Sequence, residues 1–295
     1  MCYAYLRDQH GLRTRRPLPR YIARTVFFLA AAPLRPTLEA QMGGLRVVLN
    51  TSDRTMARSV FAAGDWDPLL AGTVFEALDA WGHAYRGRTL LEVGANFGVY
   101  SLPAVNEYGF GRAEAYEPEP RAYALLRRNI RRNGLDDRVR AVPAALSRQA
   151  GELLLSRGHG NAGDNRIVAE RGPVARRADT IRVRATTFDD EVASGAIQLD
   201  DVGLVWLDVQ GHETDVLAGA KGLLRSNIPV VLEYSTSMMD EAAREELHQL
   251  VAGNYRALVD LGWSALTNQL RFQPASVISE LVAPGRPLET DLLLL

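Results

Sequence analysis

The sequence predicts an α/β fold built on a doubly wound, mostly parallel sheet, and three observations carry that expectation. Leu90-Leu91-Glu92-Val93 breaks into Gly94 and Gly98 and then resumes with helix-like spacing. A strand feeding a glycine turn and a helix N-terminus is how such folds hold nucleotide-like ligands. About 20 residues later, Ala113-Glu114-Ala115-Tyr116-Glu117-Pro118 reads as a second strand ending in a carboxylate, placed to accept hydrogen bonds from two ribose hydroxyls. Continuous apolar runs such as Val202-Gly203-Leu204-Val205-Trp206-Leu207 indicate strands buried on both faces.

Along the chain, residues 1–44 read as an N-terminal arm or helical extension and residues 45–295 as one domain. Val26-Phe27-Phe28-Leu29-Ala30-Ala31-Ala32, closed by Pro33, is an N-terminal helix too short to cross a bilayer, which needs about 20 apolar residues. Leu45 to Leu49 is a short strand and Asp67 to Ala80 a helix beside the site. The regular alternation begins with a first strand at Thr89 to Val93. A helix follows from near Phe97 to before Gly109, then a second strand at Ala113 to Glu117. The next helix starts at Pro120, carries Tyr123, Leu126 and Ile130 on one face, and stops at Asn133-Gly134. Val139 to Pro143 is the third strand.

The alternation is interrupted by strands at Leu153 to Leu155 and Ile181 to Ala185, separated by a polar, glycine-rich segment from Gly158 to Gly172. A loop of that length suits a flap over a ligand. Asp189-Asp190-Glu191 reads as a solvated helix start. The pattern returns with a fourth strand at Val202 to Asp208 and a helix from Glu213 to Arg225. A fifth strand at Pro229 to Tyr234, a helix from Asp240 to Leu261, a sixth strand near Trp263 to Thr267 and a last strand at Thr290 to Leu294 complete it. The final pair is expected to be antiparallel.

Composition sets the outer limits. A hydrophobic fraction of 47% and a charged fraction of 23% are ordinary globular values, so 295 residues can bury a sizeable core. The formal net charge of −1 gives no global case for a polyanionic partner. Charge is uneven. The N-terminal portion carries Arg7, Arg13, Arg15, Arg16, Arg20 and Arg24 and reads as a solvated arm, whereas the chain beyond about residue 185 is acidic. Cys2 is the single cysteine, which fits a reducing cytoplasm and leaves no cysteine zinc site. His10, His83, His159 and His248 show no partner pattern and read as structural or exposed. No membrane or nucleic-acid partner is expected, and oligomeric state is not encoded in any visible pattern.

Two ligand classes suit the glycine turn. A dinucleotide site wants G-x-G-x-x-G, with pyrophosphate on the helix N-terminus. Here Asn96 stands between Gly94 and Gly98, and Glu92 precedes the turn. A carboxylate there repels pyrophosphate and attracts an amino group or a sulfonium, which favours S-adenosyl-L-methionine over a nicotinamide dinucleotide.

Glu92-x-Gly94-x-x-x-Gly98 resembles motif I of class I methyltransferases. Val93 to Tyr100 and Tyr116-Glu117-Pro118-Glu119-Pro120 resemble the FkbM family. Trp206-Leu207-Asp208-Val209-Gln210-Gly211-His212-Glu213 with Val216 to Ala220 is similar to that family's D-V-E-G-H/Y-E segment. The resemblance covers roughly residues 60 to 240. It departs at Glu92, where Asp is common, and at Gln210, where Glu is usual. It implies a Rossmann-like, seven-stranded class I methyltransferase fold. It also implies a cofactor site of Glu92, Gly94, Ala95, Asn96, Gly98, Tyr100, Glu117, Pro118, Ala144 and Asp208, with Glu92 and Gly94 near the methionine part, Glu117 on the ribose, and Ala144 and Ala145 beside the adenine.

Methyl transfer from a sulfonium is an in-line displacement, so positioning does most of the work. A hydroxyl acceptor also loses a proton, which calls for a base. His212 is the first candidate because its ordinary pKa is near neutrality. Asp208 would orient it or hold the acceptor, and Glu213 and Glu233 are further catalytic candidates. No metal is expected. The leading function is O-methylation of a small-molecule hydroxyl on a sugar, polyketide or other secondary metabolite. The alternatives are a nucleic-acid methyltransferase, disfavoured because Asp208-Val209-Gln210-Gly211 has no Pro-Pro-aromatic segment, and a cofactor-binding but inert partner protein.

Overall fold

Apolar runs punctuated by glycine and proline fold as the alternation predicts, with informative exceptions. A computed structural model describes residues 18–158, 161–168, 179–281 and 288–295. Cys2, His10, the arginines before residue 18, His159, Gly160 and residues 169–172 of the expected flap lie outside the described residues.

Helix α1 (Leu18–Ala31) turns Phe28 and Ala31 inward. β1 (Thr37–Met42) and β2 (Leu45–Asn50) form an antiparallel hairpin, so the expected boundary between residues 44 and 45 falls in its turn. α2 (Met56–Ala63) and α3 (Pro68–Trp81) follow. Asp67 caps α3 by accepting from Leu70 N at 3.1 Å, and Pro68 sits where a missing N–H is harmless.

β3 (Thr89–Val93) occupies the predicted span. α4 (Ser101–Asn106) starts four residues later than expected, because Ala95 to Tyr100 is spent in a turn over the site. β4 (Arg112–Tyr116), α5 (Pro120–Arg132) and β5 (Val139–Val142) follow as read, with Gly134 left-handed at φ 63° after α5.

The interruption is a second, small sheet. β6 (Ala145–Leu146), β7 (Gly151–Ser156), β8 (Arg166–Val168) and β9 (Thr180–Thr186) lie in the order β6-β9-β7-β8. α6 (Phe188–Ala193) begins at the Asp189-Asp190-Glu191 run, capped by Thr187. Glu191 is buried, not solvated: it accepts from the Tyr116 hydroxyl at 3.0 Å.

β10 (Val202–Leu207) is buried at every residue, as its unbroken apolar run requires. The expected single helix after it is two, α7 (Glu213–Ala218) and α8 (Lys221–Leu224). The break falls at Gly219, where a Cβ would stand 2.1 Å from the carbonyl oxygen of Ser147, so the chain from the small sheet presses on the helix axis.

β11 (Val230–Ser235) leads to α9 (Glu241–Asn254). The expectation of helix through Leu261 and strand at Trp263 to Thr267 is corrected. Ala257–Asp260 is strand β12 and Leu261–Thr267 is helix α10, started by Asp260 accepting from Trp263 N at 2.9 Å. Leu247, Val251 and Leu258 keep helical spacing, but Leu258 and Val259 are both fully buried, one on each face of the sheet, and burial decided the outcome. β13 (Phe272–Pro274) and β14 (Glu289–Leu294) close the sheet.

The main sheet runs β13-β12-β14-β11-β10-β3-β4-β5. It holds the seven strands of the expected architecture plus the short edge strand β13. β11, β10, β3, β4 and β5 are parallel, and β14 is antiparallel to both its neighbours. Apolar cores fill both faces. The sheet order reverses direction between β3 and β10, and an open α/β sheet places its ligand at the carboxyl ends of the strands at such a point.

Candidate functional site

At those strand ends lies a pocket walled by Gly94, Asn96, Glu117, Pro118, Ala144 and Asp208.

The glycine turn is shaped by close backbone contacts. Gly94 sits at φ 90°, and a Cβ there would lie 2.0 Å from the carbonyl oxygen of Asp208. Both Gly94 N and Ala95 N donate to Tyr116 O at 3.0 Å, tying the turn to the end of β4. Asn96 adopts φ 48°, a conformation asparagine tolerates better than most residues, and its N–H donates to Glu117 Oε2 at 2.8 Å. Gly98, at φ 95°, leaves room for Leu102 and Leu126. Ala95 is fully buried beneath the turn.

Glu117 meets the cavity with both oxygens held. Oε2 takes Asn96 N, and Oε1 takes Glu119 N at 2.8 Å. Each oxygen keeps a lone pair for an incoming hydroxyl. Burial pushes its carboxyl up to about 7, against the lowering effect of the two amides. Ala144, Ala145 and Leu146 supply a flat apolar wall beside it.

Glu92 is placed differently from its neighbours in the motif. It is 1% exposed and is not part of the cavity wall. Its two oxygens accept from Tyr100 N at 3.0 Å and Ser101 N at 2.8 Å, so it caps α4 from below. Burial pushes its carboxyl up to about 8. Tyr100 also stays outside the cavity. Its ring stacks on Trp206 at 3.9 Å and its hydroxyl accepts from Trp66 Nε1 at 3.3 Å.

The four catalytic candidates separate into two that reach the cavity and two that do not. Asp208 and His212 line it. Asp208 Oδ1 accepts from Gln210 Nε2 at 2.8 Å, and the same nitrogen donates to Glu233 Oε2 at 2.7 Å. Burial raises the Asp208 carboxyl, and the Gln210 amide opposes that rise. Glu233 stands behind, in register with Asp291 of β14. Burial, then the nearby charges of Asp208, Glu213 and Asp291, push it up to about 11, so it carries a proton at neutral pH.

His212 is engaged at both ring nitrogens, by Ser147 Oγ at 3.0 Å and Asp215 Oδ2 at 3.4 Å. Burial lowers its pKa, which favours the neutral ring, and the Asp215 carboxylate opposes that fall. Glu213 has no exposed surface. Its Oε1 accepts from Val209 N at 3.2 Å and Gly211 N at 3.3 Å, which holds the loop that carries Asp208 and His212.

Sequence reasoning missed the opposite wall. Met56 of α2, Leu155 of β7, Ile167 of β8 and Asn165 of the preceding turn face the cavity across from the glycine turn. No local motif marks them; the small sheet brings them there. Asp291 also went unread: it follows Glu289 and Thr290 in the polar first half of β14 (Glu289–Leu294), and no motif marks it.

Residues 92–257 match the family model described as Methyltransferase FkbM domain. Among curated proteins, the chain is 30% identical over 164 residues to 2-O-methyltransferase NoeI of Sinorhizobium fredii, covering 52% of this chain and 65% of that protein. It is 28% identical over 158 residues to 31-O-demethyl-FK506 methyltransferase FkbM of Streptomyces tacrolimicus, covering 46% and 60%. The chain thus spans under two thirds of the length of these relatives. Among solved structures it is similar to a Methyltransferase FkbM from Methylobacillus flagellatus, with TM-score 0.42 and 14% identity over 71% of this chain and 44% of that one.

Proposed function

This chain belongs to the FkbM methyltransferase family, and from that premise we propose that it transfers the methyl group of S-adenosyl-L-methionine to a hydroxyl of a small-molecule acceptor. The observation that carries this reading is the pairing of Glu117 and Asp208 on one cavity, with Gly94 between them.

The cavity residues fit that cofactor. Glu117 offers two carboxylate lone pairs to a ribose diol, and Ala144, Ala145 and Leu146 offer an apolar face to adenine. Asp208 is a carboxylate next to the turn, where a sulfonium gains from negative charge. The structure also supports the disfavour toward dinucleotides. The first amides of α4, which would hold a pyrophosphate, already donate to Glu92.

The bound cofactor supplies an activated methyl group. The chain supplies positioning and a proton acceptor. Gly94 and Asn96 hold the turn open, while Glu117 fixes one end of the ligand. Asp208 accepts the hydroxyl proton as the methyl is transferred. His212 is less available for that role because both ring nitrogens are engaged, and it serves as a wall fixed by Ser147 and Asp215. Glu213 shapes the 208–212 loop, and Glu233 acts on Asp208 through Gln210.

Two measurements test the reading. Calorimetry compares S-adenosylhomocysteine with NADH, and binding of NADH alone sinks it. Transfer of labelled methyl from S-adenosyl-L-methionine to small molecules of a host extract then separates an enzyme from an inert cofactor-binding protein. Label appearing in nucleic acid instead would establish the runner-up.

A further inference from the structure

Helix α1 packs only one side. Phe28 is fully buried and Phe27 stacks on Phe61 of α2 at 5.9 Å. On the other side Ile22, Val26 and Leu29, spaced i, i+4, i+7, are 53%, 61% and 45% exposed, and Leu34 just beyond the helix is 82% exposed. Single exposed apolar residues need no explanation, but a stripe of them does.

The stripe borders a wide groove that runs from Leu29, Ala32 and Pro33 to Arg54, Arg121 and Arg128. All three arginines are exposed, and no acidic side chain lines the groove among the described residues. Arg24, by contrast, is turned inward, donating to Phe61 O at 2.7 Å.

We infer that this face of α1 lies on an anionic lipid surface, the apolar stripe entering the headgroup boundary and the groove arginines meeting lipid phosphates. An apolar helix face beside exposed cations is the pattern of interfacial binding, and the two contributions add. A second copy of this chain is the weaker occupant. A symmetric pairing of the same patch sets its own arginines against one another. No helix of the described residues is long and apolar enough to cross a membrane, and lying on a surface does not need one. The expectation that the chain has no membrane partner is reversed for this face alone. The groove shares Asn50, Ser52, Arg121 and Leu125 with a cavity next to Asn96.

The test is sedimentation of the full chain with phosphatidylcholine vesicles, with and without phosphatidylglycerol. The chain should pellet with phosphatidylglycerol vesicles at low salt, be released at high salt, and stay in solution with phosphatidylcholine alone. Val26→Ser with Leu29→Ser, and separately Arg54→Glu with Arg128→Glu, should each cut the bound fraction by about fivefold or more. Both pairs are exposed, and circular dichroism checks that they fold. Absence of pelleting, equal pelleting with both vesicles, or unchanged binding by either variant overturns the inference. So does a dimer by light scattering that Val26→Ser with Leu29→Ser dissolves, which gives the face to a second copy. None of these readouts depends on methyl transfer.

Discussion

Asp208 and Glu233 share one amide nitrogen: Gln210 Nε2 gives a proton to each, at 2.8 and 2.7 Å. An acid at position 210 puts a third carboxyl where a donor is needed, and one of the three must then hold an extra proton. The residue pattern marked Gln210 as a departure, and the geometry gives that departure a role in keeping Asp208 ionised.

Gln210→Glu should therefore lower turnover about tenfold at neutral pH and move the acid limb of the pH profile to higher pH. Affinity for S-adenosylhomocysteine should stay within about twofold. An unshifted profile would show that the shared amide does not set the charge of Asp208.

Asp208→Asn keeps the shape and removes the base. Turnover should fall by roughly 100-fold to 10,000-fold, with S-adenosylhomocysteine still binding. His212→Ala should cost far less. Steady-state kinetics of both variants on one acceptor decides which residue takes the proton.

Glu117→Ala removes two charge-assisted hydrogen bonds to the ribose and should weaken S-adenosylhomocysteine roughly 100-fold or more by calorimetry. Since the Glu117 carboxyl is pushed up to about 7, affinity of the parent should also fall as pH drops below neutrality.

Stability should move the other way with pH. Glu92, Glu117 and Glu213 have folded pKa values raised by burial, to about 8, 7 and 7, from an ordinary 4.5. Their contribution is fully present below the unfolded value, declines as pH rises above 4.5, and is gone once pH has passed the folded values of about 7 to 8. The thermal midpoint of the unliganded protein should fall across that window. The gain in midpoint from S-adenosylhomocysteine should grow across it, because binding uses ionised Glu117. Scanning fluorimetry with and without ligand measures both.

Gly94→Ala should cost several kcal/mol, on the order of 2–4, or prevent folding, because its Cβ meets Asp208 O at 2.0 Å in a left-handed backbone. Chemical denaturation reads the loss.

The parallel half of the sheet was legible because β3, β10 and β11 are largely apolar, buried runs, and because Gly94, Pro118 and Asp208 mark where β3, β4 and β10 stop. The antiparallel half was not. Trp263 to Thr267 has a strand-like composition, yet the Asp260 cap commits it to helix. The hairpin strand Thr37–Met42 went unread, since Glu39 and Gln41 alternate with apolar residues over too short a span. Within the site, Gly94, Asn96, Glu117 and Asp208 were readable from the turn and the strand ends. Met56 and Ile167 were not, because they reach the cavity through tertiary packing alone. The placement of Glu92 beneath the turn was also hidden, since a strand-end carboxylate reads the same whether it caps a helix or meets a ligand.

The insertion of β14 between β11 and β12 sets an order of events during synthesis. Both neighbours leave the ribosome before residue 289, so the nascent chain carries two unpaired strand edges and holds a slot for a third strand. Until β14 enters, Glu233 lacks its register partner Asp291, and the exposed edges invite pairing with other chains. Translation stalled in the α10 region would leave that slot open between β11 and β12, a species prone to aggregate.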